Sequence, residues 1–205
     1  MIRFYVFLSL MTLVSLFVRG ETFDRWRFGV GAKCGITTVD YPGSAKNADF
    51  VFSYGVSIPV GFSITDWLEI RSGLDFRKTG YSDSAQFPEE NEVRDYTYST
   101  SSYILGIPVE LAFYPIPAKP VYIFLGIDNS VVAGSSYGYS APDDLPLSGH
   151  ADAKRYNIDF LCGIGADINR HFSVDLRYYR GLNGYYRHSS GFNTNAFFVS
   201  LNYWF

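Results

Sequence analysis

Residues 50–63 read FVFSYGVSIPVGFS. Phe50, Phe52, Tyr54, Val56, Ile58, Val60 and Phe62 fall on one side of an extended chain, and Ser53, Gly55, Ser57, Pro59, Gly61 and Ser63 on the other. A period of two is the signature of a β-strand with one apolar face. Which way that face points decides the fold.

The same alternation recurs along the chain. Eight segments carry it: 25–37, 49–63, 67–81, 98–114, 121–135, 155–168, 171–182 and 194–205. Phe172, Val174, Leu176 and Tyr178 oppose Ser173, Asp175, Arg177 and Tyr179; Leu68, Ile70, Leu74 and Phe76 oppose Glu69, Arg71, Gly73, Asp75 and Arg77. Trp26, Phe28, Val30 and Ala32 oppose Arg27, Gly29, Gly31 and Lys33. The composition agrees: 19% aromatic, 18% charged, and Gly at 19 positions favour strands over helices. No helical period of 3.6 is sustained, and no linker divides the chain.

The connections alternate in length. Residues 64–66, 115–120 and 169–170 make short turns, whereas 38–48, 82–97, 136–154 and 183–193 make long polar ones. Tight turns at one rim and long loops at the other are the pattern of a membrane barrel with an even number of strands. A lipocalin-type barrel would bury the greasy face instead. Volume argues against it, because eight strands enclose little more than their own side chains or one small ligand. The Gly/Ser/charged face fits inside; the Phe/Tyr/Ile/Leu face does not, and only lipid makes it favourable outside. The expected fold is an all-β, eight-stranded antiparallel up-and-down transmembrane β-barrel.

On this reading the lumen holds Arg27, Lys33, Arg71, Arg77 and Arg177 with Glu69, Asp75, Glu110, Asp128, Asp159, Asp167 and Asp175. Unpaired charge in so narrow a space is costly, so a nearly complete ion-paired network is expected, filling the lumen and fixing closure. A narrow ion pathway is the functional alternative. Pro59 and Pro108 sit within strands and call for a bulge or a loosened ladder. Asn129 falls on the lipid side unless a bulge near residues 126–128 changes the parity, or it stands near an interface.

The start of the chain is a separate object. Met1-Ile2-Arg3 is followed by the apolar run Phe4–Val18, which reads as a secretory signal over residues 1–20, cut near Gly20 or Glu21, with the barrel domain over 21–205. At 15 residues the run is short for a helical span. Cleavage removes Arg3 and Arg19 and takes the formal charge from -3 to about -5. Neither the charge nor any basic run suggests a nucleic-acid partner. Cys34 and Cys162 read as two small apolar side chains rather than a disulfide.

The stretches VGFSITDWLEIRSGLDF (60–76), YILGIPVELAFYPIPAKPVYIFLGI (103–127), GIGADINRHFSVDLRYYRGLNG (163–184) and AFFVSLNYWF (196–205) resemble the outer-membrane β-barrel (porin-like) family of Bacteroidetes type. The resemblance runs over about residues 25–205. It implies residence in the bacterial outer membrane amid lipid and lipopolysaccharide. Leu201, Tyr203 and terminal Phe205 resemble the signal that the barrel-assembly machinery reads during insertion.

Catalytic chemistry is sparse. His171 and Ser173 have a spacing that puts both on one strand face, as in lipid A deacylases, but they abut a short turn, at the wrong rim for that reaction. His150 and His188 fall in long loops, as does the carboxylate pair Asp143-Asp144, and no metal-ligand spacing is present. No cofactor and no enzymatic activity are expected. The loops offer Tyr137, Tyr139, Tyr185, Tyr186, Ser189 and Ser190, residue types suited to adaptable recognition. A monomeric structural or surface-interaction protein, its extracellular ligand unknown, is the expected function. A small porin is the alternative, and a lipid-modifying enzyme a distant third.

Overall fold

A computed structural model of the chain describes residues 25–40, 49–89, 92–116, 120–140, 147–150, 155–183 and 193–205. The signal segment, Asp143-Asp144, Tyr185, Tyr186, His188, Ser189 and Ser190 lie outside the described residues. The elements are β1 (Trp26–Asp40), β2 (Val51–Thr65), β3 (Leu68–Glu89), β4 (Glu92–Phe113), β5 (Val121–Ser140), β6 (Leu147–His150), β7 (Tyr156–Asp167), β8 (Phe172–Gly181) and β9 (Asn193–Trp204). Eight of them close an antiparallel barrel in the order β1-β2-β3-β4-β5-β7-β8-β9, with β9 returning to β1. The four-residue β6 adds to the upper part of β5.

The register gives the barrel's dimensions. Following cross-strand partners once around, from Ile123 through Ile164, Leu176, Val199, Cys34, Tyr54, Lys78 and Tyr103, leads back to β5 at Gly134. That is eleven residues further along, one of them the bulge residue Ala133, so the closing stagger is ten. Ten residues over eight strands correspond to a strand tilt of about 40° and a backbone radius of about 8 Å. So slender a cylinder cannot swallow the apolar faces, and they point out. Phe52 is 65% exposed, Val56 57%, Leu125 56% and Leu176 56%. Aromatic residues gather towards both ends of this surface: Phe28, Trp67, Phe113, Phe172 and Tyr203 at the short-turn end, and Phe52, Tyr54, Tyr103 and Tyr156 at the other. Between Phe62 and Tyr54 the strand climbs roughly 20 Å at that tilt, close to the apolar band of such barrels.

One long connection turns out to be largely strand, and a second partly so. β3 and β4 are 22 residues each and stay paired from Leu68↔Phe113 up to Glu89↔Glu92, although 82–97 reads as loop. β5 likewise runs to Ser140, past the expected end at residue 135. Ser, Thr and Tyr sustain the ladder there, and above the lipid neither face needs to be apolar.

Asn129 faces outward with no change of parity nearby, because the β4–β5 and β5–β7 registers run unbroken past it. Tyr156 donates its hydroxyl to Asn129 Oδ1 at 2.8 Å. The bulge lies higher, between Tyr103 and Ile104 on β4, with Ala133 as the extra residue on β5. It turns Tyr137 to the lumen-side face, where its ring stacks on Tyr98 at 6.0 Å.

The prolines loosen the ladder without a bulge. Pairing skips from Phe28↔Val60 to Gly31↔Ser57 beside Pro59, and from Ser72↔Val109 to Asp75↔Gly106 beside Pro108. Gly73 lies on β3 between the two prolines, at φ 147°, where a Cβ would stand 2.2 Å from the Ile58 carbonyl oxygen. On the lipid face Ser72 donates to the Pro108 carbonyl at 2.8 Å.

Candidate functional site

The lumen is built by the inward positions of eight strands, and its charges fall into three strata. Three carboxylate–arginine pairs stand two residues apart on one strand: Glu69 and Arg71, Asp75 and Arg77, Asp175 and Arg177. The β period puts each pair on the same face, and neighbouring strands supply the remaining partners.

At the short-turn end, Arg27 reaches Glu69 Oε2 at 2.7 Å and Asp167 Oδ1 at 3.5 Å, and Arg71 reaches Glu69 Oε2 at 2.9 Å. Tyr114 accepts from Arg71 Nη2 at 2.8 Å, and its hydroxyl lies 3.1 Å from Asp167 Oδ2. An open vestibule of about 350 Å³ bounded by Arg25, Arg27, Glu69, Tyr114 and Asp167 leads to this stratum. In the middle, Arg177 pairs with Glu110 at 2.5 Å and Asp175 at 2.8 Å, while Tyr122 donates to Asp175 Oδ1 and Asn202 to Asp175 Oδ2. The third stratum centres on Arg77, which holds Asp75 at 2.8 Å, Asp159 at 2.5 Å and Asp128; Lys33 pairs with Asp75 from the other side.

All twelve sequence-predicted lumen residues thus lie inside the barrel, and each is in at least one ion pair. Most are buried; Arg27 and Asp167, next to the vestibule, keep partial exposure.

The lumen also holds large side chains: strand parity had placed Tyr179 there, but not Tyr122, Phe124, Phe198 or Trp204. Tyr122, Phe124, Leu161, Tyr179 and Phe198 form a buried cluster with Ala112 and Ala196, and Trp204 is 2% exposed. Each guanidinium lies over a ring: Arg71 over Tyr122 at 4.0 Å, Arg27 over Trp204 at 4.4 Å, Arg77 over Tyr179 at 4.6 Å and Arg177 over Phe124 at 4.8 Å. Cation–π contacts of this kind gain strength on desolvation. Glycines leave room for the rings: a Cβ on Gly163 would meet Phe124 at 2.4 Å, and one on Gly165 would meet Tyr122 at 2.4 Å. The signal was present in the sequence, since Phe198 and Trp204 break the alternation of the last strand.

Outside the lumen, Leu201 and Tyr203 face the lipid side, Phe205 is 76% exposed, and the Phe205 N–H donates to the Phe28 carbonyl at 2.8 Å. His171 and Ser173 do not share a face. The His171 ring stacks on outward Tyr203, with Nδ1 2.9 Å from the Trp204 carbonyl oxygen, whereas Ser173 is buried in the lumen and accepts from Trp204 Nε1 at 2.9 Å. Cys34 and Cys162 are unpaired and sit on the lipid-facing side.

A family model described as outer membrane protein beta-barrel domain matches residues 8–205. The chain belongs to this outer-membrane β-barrel family. Its members' address, the bacterial outer membrane, is therefore the address of this barrel. Neisserial surface protein A has a similar solved structure, at TM-score 0.53 and 14% identity over 87% of this chain and 97% of that one. Also similar are the attachment invasion locus protein of Yersinia pestis (TM-score 0.46, 10% identity, 88% and 99% covered) and the N-terminal barrel of Pseudomonas aeruginosa OprF (0.38, 9%, 85% and 97%). At these identities the likeness to Neisserial surface protein A concerns the fold. No curated protein sequence matches this outer-membrane barrel.

Proposed function

We propose that this outer-membrane barrel, of the Bacteroidetes type its motifs resemble, is a sealed, non-enzymatic scaffold that presents its long hairpins at the cell surface for structural or interaction purposes. One observation carries the reading: each of the twelve lumen charges named above is in an ion pair and each of their four arginines lies over a ring, so the cross-section is filled by a paired network. The vestibule is supporting, because the lumen charges that line it, Arg27, Glu69 and Asp167, all belong to the short-turn stratum. The short turns then face the periplasm and the β3–β4 and β5–β6 hairpins face outward, as barrels of this class are built. Lipid and lipopolysaccharide surround a single chain, and the barrel-assembly machinery reads Leu201, Tyr203 and Phe205 during insertion.

Surface presentation is tested with cysteines introduced singly at Ser99 and Ser136 in a background lacking Cys34 and Cys162. Intact cells treated with a membrane-impermeant maleimide label both positions under this reading. Labelling only after permeabilisation contradicts it. A second variant, with residues 84–95 replaced by a two-residue turn, retains a heat-modifiable barrel if the hairpin serves the surface and not the fold.

A further inference from the structure

The ladder break at Pro59, Gly73 and Pro108 has a counterpart inside the lumen. These three residues wall a cavity whose interior is lined by Arg71, Asp75 and Ser200, with about 20 Å³ open to the centre of a water molecule. That is room for roughly one water. Two of these residues carry polar atoms that make no hydrogen bond within the protein, Arg71 Nη1 and Ser200 Oγ, and the Asp75 carboxylate borders the same space. Arg71 is 3% exposed, Asp75 2% and Ser200 4%. Arg71 spends its Nε and Nη2 on Glu69 and Tyr114, and Asp75 Oδ1 meets only the Lys33 ammonium.

We infer that this cavity is a binding site for a single ordered water, which accepts from Arg71 Nη1 and donates to Asp75 Oδ1 and Ser200 Oγ. The stereochemistry suits water specifically. The site offers one donor, one charged acceptor and one hydroxyl, and three hydrogen bonds are the usual complement of a buried water. A metal cation is poorly matched, since Lys33, Arg71 and Arg177 all line the same space. An apolar occupant would leave a guanidinium nitrogen and a hydroxyl unsatisfied. The water also has a structural consequence. It joins Arg71 of the short-turn stratum to Asp75 of the Arg77 stratum, and ties both to Ser200 on β9, so that the two charged layers become one network. The two prolines then have a use: by cancelling ladder pairs they make the space in which the layers are bridged.

The direct test is a crystal structure at a resolution that shows ordered waters. One peak within hydrogen-bond distance of Arg71 Nη1, Asp75 Oδ1 and Ser200 Oγ is expected. An empty cavity overturns the inference, as does an anomalous peak there after soaking with thallium, which marks a monovalent-cation site. A second test reads sign alone. Ser200→Ala removes a bonded hydroxyl if the water is present, and the urea midpoint of the barrel falls. If the cavity is dry, the same change removes an unsatisfied buried hydroxyl, so an unchanged or raised midpoint overturns the inference.

Discussion

Arg77 is the side chain whose loss the barrel should feel most. It is 2% exposed and bonds three carboxylates, those of Asp75, Asp128 and Asp159. Asp75 keeps Lys33 when Arg77 is removed, but no other cation pairs with Asp128 or Asp159 among the described residues. Arg77→Met preserves much of the volume over Tyr179 and deletes the charge, leaving two buried carboxylates without a counter-ion. Breaking a buried pair in this way costs about 3–5 kcal/mol, and the upper half of that range applies because two acids are orphaned at once. Lys33→Met should cost less, since Asp75 retains Arg77. The assay is urea unfolding of the purified barrel in lipid vesicles, followed by tryptophan fluorescence and by the compact band on an unheated gel. Adding Asp128→Asn and Asp159→Asn to Arg77→Met removes the orphaned charge and should restore at least half of the loss. The reasoning fails if Arg77→Met costs less than about 1 kcal/mol, the value of an exposed pair. It also fails if the triple variant is no more stable than the single one.

Three further outcomes are expected. Gly73→Ala should cost about 2 kcal/mol or more in the same urea assay, because alanine is strained at φ 147° and its Cβ would lie 2.2 Å from a backbone oxygen. Replacing Cys34 and Cys162 by Ala together should leave stability within about 0.5 kcal/mol, with no reductant-dependent change in gel migration, since neither thiol is paired. Deleting Phe205, which is 76% exposed and adds one backbone hydrogen bond to Phe28, should lower the amount of folded protein in cellular outer membranes. The same variant should refold normally from urea into detergent.

The strand faces were legible because lipid imposes a strict condition on every outward position. Tyr54, Val56 and Leu176 alternate with small or polar residues whatever their partners are. The charged members of the lumen followed from the same parity. So did Tyr179, but Tyr122 and Phe124 did not: they sit in a run, VYIFLGI, that is apolar on both faces, so parity could not mark them as different from Ile123 and Leu125. They are inside because glycines on the facing strand, Gly163 and Gly165, leave room for their rings, a pairing visible only once the register is known. The polar upper halves of β3, β4 and β5 were read as loop for the opposite reason. Above the lipid no face must be apolar, so the periodicity disappears while the hydrogen-bonded ladder continues. The bulge at Ala133 left no mark in composition at all, and with it went the inward turn of Tyr137 onto Tyr98.

On the reading proposed above, the lumen is closed by its own ion pairs. Current through single purified barrels in planar lipid bilayers addresses this directly. No steady unit conductance is expected for the native chain, and a measurable one once Arg77→Ala and Arg177→Ala are combined. Stable, ohmic openings of the native barrel in most insertions would contradict it.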